Sequence, residues 1–116
     1  VESMYKVIYH IDEREKWSLT LGNVTNMIVY YQAHHIDYQI EVLANSVAVC
    51  DYLKGSTFQS QILSLIEKKV IFVACHNAME AHHILAEQLM ENSQVVDAGV
   101  VELVTKQSEG FAYIKP

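Results

Sequence analysis

The chain has 116 residues, a length at which one hydrophobic core suffices and a second domain would be too small to build its own. Apolar residues make up 51% of it and charged residues 19%, a globular rather than a disordered composition. The formal net charge is −6 and no basic run exceeds Lys68-Lys69, which argues against nucleic acid as a direct partner.

No apolar stretch approaches the roughly 18 residues that cross a bilayer, and no basic start precedes an apolar run as in a secretory signal. The expectation is a cytoplasmic protein without a membrane partner. The two cysteines, Cys50 and Cys75, do not form a C-x-x-C pair, which fits a reducing compartment. Residues 1–116 are read as a single domain, with Val1 to Ser3 a remnant ahead of Met4.

Tyr5 to Ile11 is rich in β-branched and aromatic residues and stops at the acidic stretch Asp12 to Lys16, so it predicts a first strand. Trp17, Leu21, Val24, Ile28 and Tyr31 recur at steps of four and three, the pattern of one helix face over about 15–33. Tyr38, Ile40, Val42 and Ala44 alternate with Gln39 and Glu41, predicting a second strand with one face more buried. Asn45-Ser46 suits an N-cap, a short helix covers about Val47 to Leu53 before Gly55, and a further helix turns Phe58, Ile62, Leu65 and Ile66 inward. Val70 to Ala74 is unbroken apolar sequence, the expected look of a central strand covered on both faces. Met79, His83, Ala86 and Met90 predict a helix to about Glu91; Val95-Val96 a short strand; Val100, Leu103 and Val104 a last helix; and Phe111 to Ile114 a final strand beyond Gly110. Strands alternating with helices at this spacing imply a three-layer α/β/α fold around a mostly parallel sheet of four to five strands.

Ligands of open parallel sheets gather beyond the carboxyl ends of the strands. Those ends are His10-Ile11-Asp12, Asn45-Ser46, Cys75-His76-Asn77 and Asp97-Ala98-Gly99. Cys75 lies where a strand meets a helix N-terminus, which stabilises a thiolate, the nucleophilic form of the residue. It is equally the kind of small apolar side chain that cores bury. Asp12 orients a ligand or caps the following helix, and Asn45 and Asn77 donate to a bound anion or close turns. Cys50 reads as core packing. The pairs His34-His35 and His82-His83 point apart around a helix and form neither H-x-x-x-H nor H-E-x-x-H, so no metal is expected. The glycines at 22, 55, 99 and 110 are isolated, so no phosphate loop and no cofactor is expected.

The blocks Lys6-Val7-Ile8-Tyr9-His10-Ile11-Asp12-Glu13, Ile40-Glu41-Val42-Leu43-Ala44-Asn45 and Val70-Ile71-Phe72-Val73-Ala74-Cys75-His76-Asn77, with the tail from Gln107 to Pro116, resemble the DsrE-like family, related to bacterial sulfur-relay subunits. The resemblance is to its single-chain branch without established function. Ser46 and Ala78 depart from the glycine and the hydroxyl residue common at those positions. The resemblance implies assembly into trimers or hexamers, and a cysteine that carries sulfur as a persulfide, matched by position to Cys75. The leading expectation is thus a sulfur carrier with sulfur donor and acceptor proteins as partners, with His10, Asp12, Asn45, His76 and Asn77 around Cys75. The alternative is a non-catalytic, homo-oligomeric small-ligand-binding module with a structural Cys75. Tyr30, Tyr31, Tyr38 and Tyr52 are expected at the surface, where they suit subunit contacts.

Overall fold

The computed structural model describes residues 4–116, so the reading of Val1 to Ser3 lies outside the described residues. Five strands form one all-parallel sheet: β1 (Met4–Ile11), β2 (Asp37–Ala44), β3 (Ile71–Cys75), β4 (Gln94–Val96) and β5 (Ala112–Ile114). Between them lie α1 (Trp17–Ala33), a 3-10 segment Ser46–Tyr52, α2 (Gln59–Glu67), α3 (His76–Ala81) and α4 (Gly99–Ser108).

The strand order β4-β3-β2-β1-β5 explains which layer each helix joins. The first three crossovers step one way across the sheet, and right-handedness puts their helices on one face. The crossover from β4 to β5 runs back the other way, so α4 takes the opposite face. Two cores result. Trp17, Val24, Ile28, Ile62 and Met79 pack with Val7, Tyr9, Val42 and Phe72 on the thick side. Ile8, Leu43, Val73 and Leu103 form the thin core under α4. Trp17 anchors the thick side: its ring centroid lies 5.4 Å from Tyr52, 6.4 Å from Phe58 and 6.5 Å from Phe72, and its indole N–H donates to the Ala48 carbonyl at 3.1 Å. A buried indole keeps its packing only if that donor is answered.

Several expectations need correction. The central strand is β2, not β3, which neighbours the edge strand β4. The alternation in β2 gives way to burial of every residue from Ile40 to Ala44, Glu41 included, because α4 covers the second face. Tyr52 is fully buried and its hydroxyl donates to the Val42 carbonyl at 2.9 Å, so it is no surface residue. Val100 and Val104 face outward on α4; Leu103 and Gly99 carry its contact with the sheet.

The expected helix through Met79, His83, Ala86 and Met90 stops after Ala81. His83 adopts φ 58, its N–H donates to the Glu80 carbonyl, and the N–H of buried Ile84 reaches back to Met79 at 2.9 Å. That paired pattern is the Schellman C-cap, which satisfies terminal carbonyls and tucks an apolar residue under the last turn. The same device ends the other three helices, with His35 and Ile36 after α1, Lys69 and Val70 after α2, and Gly110 and Phe111 after α4. Only Gly110 is the residue type that the left-handed position normally selects.

Candidate functional site

Adjacent strands β3 and β4 send their following helices to opposite faces, so a topological switch point lies between their carboxyl ends, where open α/β sheets form ligand crevices. Cys75 and Gly99 meet there. Cys75 is the last residue of β3 and the N-cap of α3, and is 4% exposed. Its Sγ accepts the backbone N–H of Gly99, the first residue of α4, at 3.3 Å. That contact ties the start of α4 to the sulfur at the end of β3.

Asn45 completes this corner. Its backbone N–H donates to the Ile11 carbonyl at 2.8 Å, tying the ends of β2 and β1, and its Oδ1 accepts the Ser46 N–H at 2.8 Å. A Cβ built on Gly99 would stand 3.2 Å from Asn45 Nδ2 and 3.3 Å from Cys75 Cβ. Gly99 is therefore glycine because α4 begins in contact with both side chains.

A second group lies at the ends of β1 and β5. His10 Nδ1 and the Tyr113 hydroxyl are 2.7 Å apart, while Lys115 Nζ donates to Asp12 Oδ1 at 2.9 Å. Burial lowers the imidazole pKa, Asp12 opposes that, and Lys115 adds to it. The ring is therefore neutral at pH 7, and its Nε2 is buried without a hydrogen-bond partner. The hydrogen bond from Lys115 pulls the Asp12 carboxyl below its ordinary range. Asp12 thus pairs with the tail; Glu13 is the N-cap of the 3-10 turn Arg14–Lys16 and Lys16 that of α1, neither with a side-chain cap.

The register Ile11, Ala44, Ala74 across β1, β2 and β3 puts Asp12, Asn45 and Cys75 in one row beyond the strand ends. At about 4.8 Å per strand, Asp12 and Cys75 are on the order of 10 Å apart. The row joins the two groups on one edge of the sheet. His76 and Asn77 stand elsewhere: both are exposed on the first turn of α3, and His76 Nδ1 pairs with Glu80 at 3.3 Å. Cys50 is half-buried against the thick core. Gly99 is reached from sequence only as part of the strand end Asp97-Ala98-Gly99, and Tyr113 and Lys115 only as part of the tail, none of them with a role. The tail contacts Lys6 to Glu109, His10 to Tyr113 and Asp12 to Lys115 all span 103 residues, a constant offset imposed by parallel pairing of β1 with β5.

Two surface clefts lie away from this edge. One of about 870 Å³ sits at the opposite, N-terminal ends of the strands and one of about 560 Å³ between α1 and α2; neither contains any of these residues. Among the described residues, no group of three or more His, Cys, Asp or Glu side chains gathers as a metal site. No helix among them is long and apolar enough to cross a membrane.

No protein-family model and no curated protein matches the chain. Among solved structures, it is similar to the ychN protein of E. coli, at 14% identity over 100% of both chains with a TM-score of 0.72. It is also similar to the conserved protein of unknown function BT1422 of Bacteroides thetaiotaomicron, at 12% identity over 96% of this chain and 94% of that one, TM-score 0.74. Those two likenesses show a shared fold. The likeness to MTH1491 of Methanobacterium thermoautotrophicum, a protein of unknown function, goes further: 32% identity over 97% of this chain and 99% of that one, with a TM-score of 0.89. At that identity and over nearly the full length of both, the chain belongs to the same family as MTH1491.

Proposed function

We propose that the chain is a cytoplasmic sulfur carrier of the DsrE-like kind, which accepts a sulfane sulfur on Cys75 as a persulfide. The observation that carries the reading is the hydrogen bond from Gly99 N–H to Cys75 Sγ at the switch point of the sheet. The resemblance of the strand ends and tail to that family, and a fold shared with ychN, support it. The step is an exchange: the Cys75 thiolate attacks the terminal sulfur of a donor persulfide, a new S–S bond forms, and the donor's S–S bond breaks. The donor leaves as a thiolate, so no outside oxidant is required. Donor and acceptor are thiol proteins, and Asn45 lines the same corner, its side chain packed like that of Cys75 against Gly99. The outward valines of α4 give a contact surface for assembly into trimers or hexamers.

The burial of Cys75 favours a second reading, an oligomeric small-ligand-binding module in which the thiol only packs. Treating the reduced protein with inorganic polysulfide and weighing it intact separates the two. A carrier gains sulfur, loses that gain in Cys75→Ala and keeps it in Cys50→Ala. An unchanged mass, or equal loading at both cysteines, sinks the carrier.

A further inference from the structure

The described residues include two buried carboxylates, and their surroundings differ. Asp51 is answered by the guanidinium of Arg14, with hydrogen bonds of 2.9 and 3.1 Å. Glu41 is 3% exposed in the middle of the central strand and makes no ion pair among the described residues. Its register neighbours are Ile8 on β1 and Ile71 on β3, and its Oε2 is buried without a partner.

What faces Glu41 from α4 is another acid. Glu102 adds its charge to the surroundings of Glu41, and Lys106 and Glu109 follow along the same helix and its cap. Tyr52, from the 3-10 segment on the far side of the sheet, also feels its charge. Lys6 on β1 is engaged elsewhere, donating to the Glu109 carbonyl at 3.2 Å and lying over the Phe111 ring beside Lys106. A carboxyl group buried without a counter-charge is held in its neutral form, because its charged form loses solvation that nothing replaces. Burial first, then Glu102, pushes the Glu41 pKa up to about 8, with Lys106 opposing and Glu109 adding.

Little else holds α4. Its buried residues are Gly99 and Leu103, while Val100, Val101 and Val104 point outward. Leu103 sits on Ile8, Leu43 and Val73, and Gly99 sits on Cys75. A charge that repels Glu102 therefore acts on a helix whose first residue covers the thiol.

We infer that Glu41 is a positioning residue: its carboxyl, buried under α4 without a counter-charge and neutral when protonated, seats that helix on the sheet, and through Gly99 the helix holds and covers Cys75. Loss of the proton loosens α4 and uncovers the sulfur. The inference rests on Cys75 being the reacting group, but it is tested without any sulfur transfer, so it can fail while the carrier stands, and the reverse.

The test is amide hydrogen exchange of residues 99–104 from pH 6.5 to 9.5, corrected for the intrinsic base-catalysed rate, with iodoacetamide labelling of Cys75 scored against Cys50 in the same samples. From pH 6.5 to about 8 the wild-type protection falls by up to about tenfold per pH unit, the limit for one linked proton, then levels off above pH 8, and Cys75 labelling rises relative to Cys50 over the same range. Glu41→Gln, which keeps the shape and cannot ionise, abolishes both trends. Glu102→Gln removes the repelling partner and moves the transition to lower pH. Protection that is flat with pH in the wild type, or that falls equally in Glu41→Gln, overturns the inference.

Discussion

Replacing Gly99 with alanine sets two effects of opposite sign against each other, and the structure decides between them. Alanine favours a helix over glycine by up to about 1 kcal/mol, less at a first position. Against that, the new Cβ meets Asn45 Nδ2 at 3.2 Å, Cys75 Cβ at 3.3 Å and Asn45 Cγ at 3.4 Å. Ordinary contacts between such atoms begin near 3.5 Å, so both neighbours must retreat by a few tenths of an ångström. Neither retreats freely. Cys75 Cβ is one bond from the β3 backbone, and the Asn45 side chain is pinned by the Ser46 N–H. Overpacking at such a site costs about 1–3 kcal/mol, so Gly99→Ala loses a net ~1–2 kcal/mol. Denaturant unfolding followed by the fluorescence of the single, buried Trp17 measures it, with Val100→Ala on the outward face as a control that changes stability little. The same shift stretches the hydrogen bond from residue 99 to Cys75 Sγ, so iodoacetamide labelling of Cys75 changes while that of Cys50 does not. A Gly99→Ala protein as stable as the parent, with unchanged labelling, would refute the close seating of α4 on Cys75.

Glu41 makes stability depend on pH. Its folded pKa is raised from 4.5 to about 8, so the full stability is present below pH 4.5 and is lost as pH rises through 8. The slope approaches 1.4 kcal/mol per pH unit, about the limit for one proton, and Glu41→Gln removes it; parallel curves for the two proteins in urea at pH 5, 7 and 9 would contradict this. His35, Lys69 and His83 sit at left-handed φ of 55, 72 and 58, and glycine at each raises stability by about 1 kcal/mol; thermal melts that show no gain at any of the three count against it. Asp12 shows the opposite sign to Glu41: its depressed pKa contributes stability above its unfolded value, and this is lost on acidification. Both partners of its bridge are more than a third exposed, so Lys115→Ala costs under about 1 kcal/mol but moves the Asp12 carboxyl resonance titration upward in NMR; an unmoved titration rejects the bridge in solution.

Much of this protein was legible residue by residue. The apolar steps from Trp17 to Ile28 declare α1, the β-branched runs declare β1 and β3, and their alternation with helices predicts a parallel sheet with Cys75 at a strand end. These are local signals, because helix and strand periods are written within a dozen residues. The end of α3 was less legible, since His83 occupies a position whose usual signal is glycine. The stripe through Met79 and Met90 misled for the same reason: both are buried, yet on either side of a cap and a turn.

Local sequence is enough for the order of the elements, the α/β class and the place of Cys75 along the chain. Only the tertiary structure decided that β2 is central and that α4 lies alone on its face. From that follow the burial of Glu41 against Glu102, the approach of Gly99 to Cys75 and the tail contacts across 103 residues. Each depends on which strands pair and which way a crossover turns. Groups distant along the chain meet only after those choices, and no local period records them.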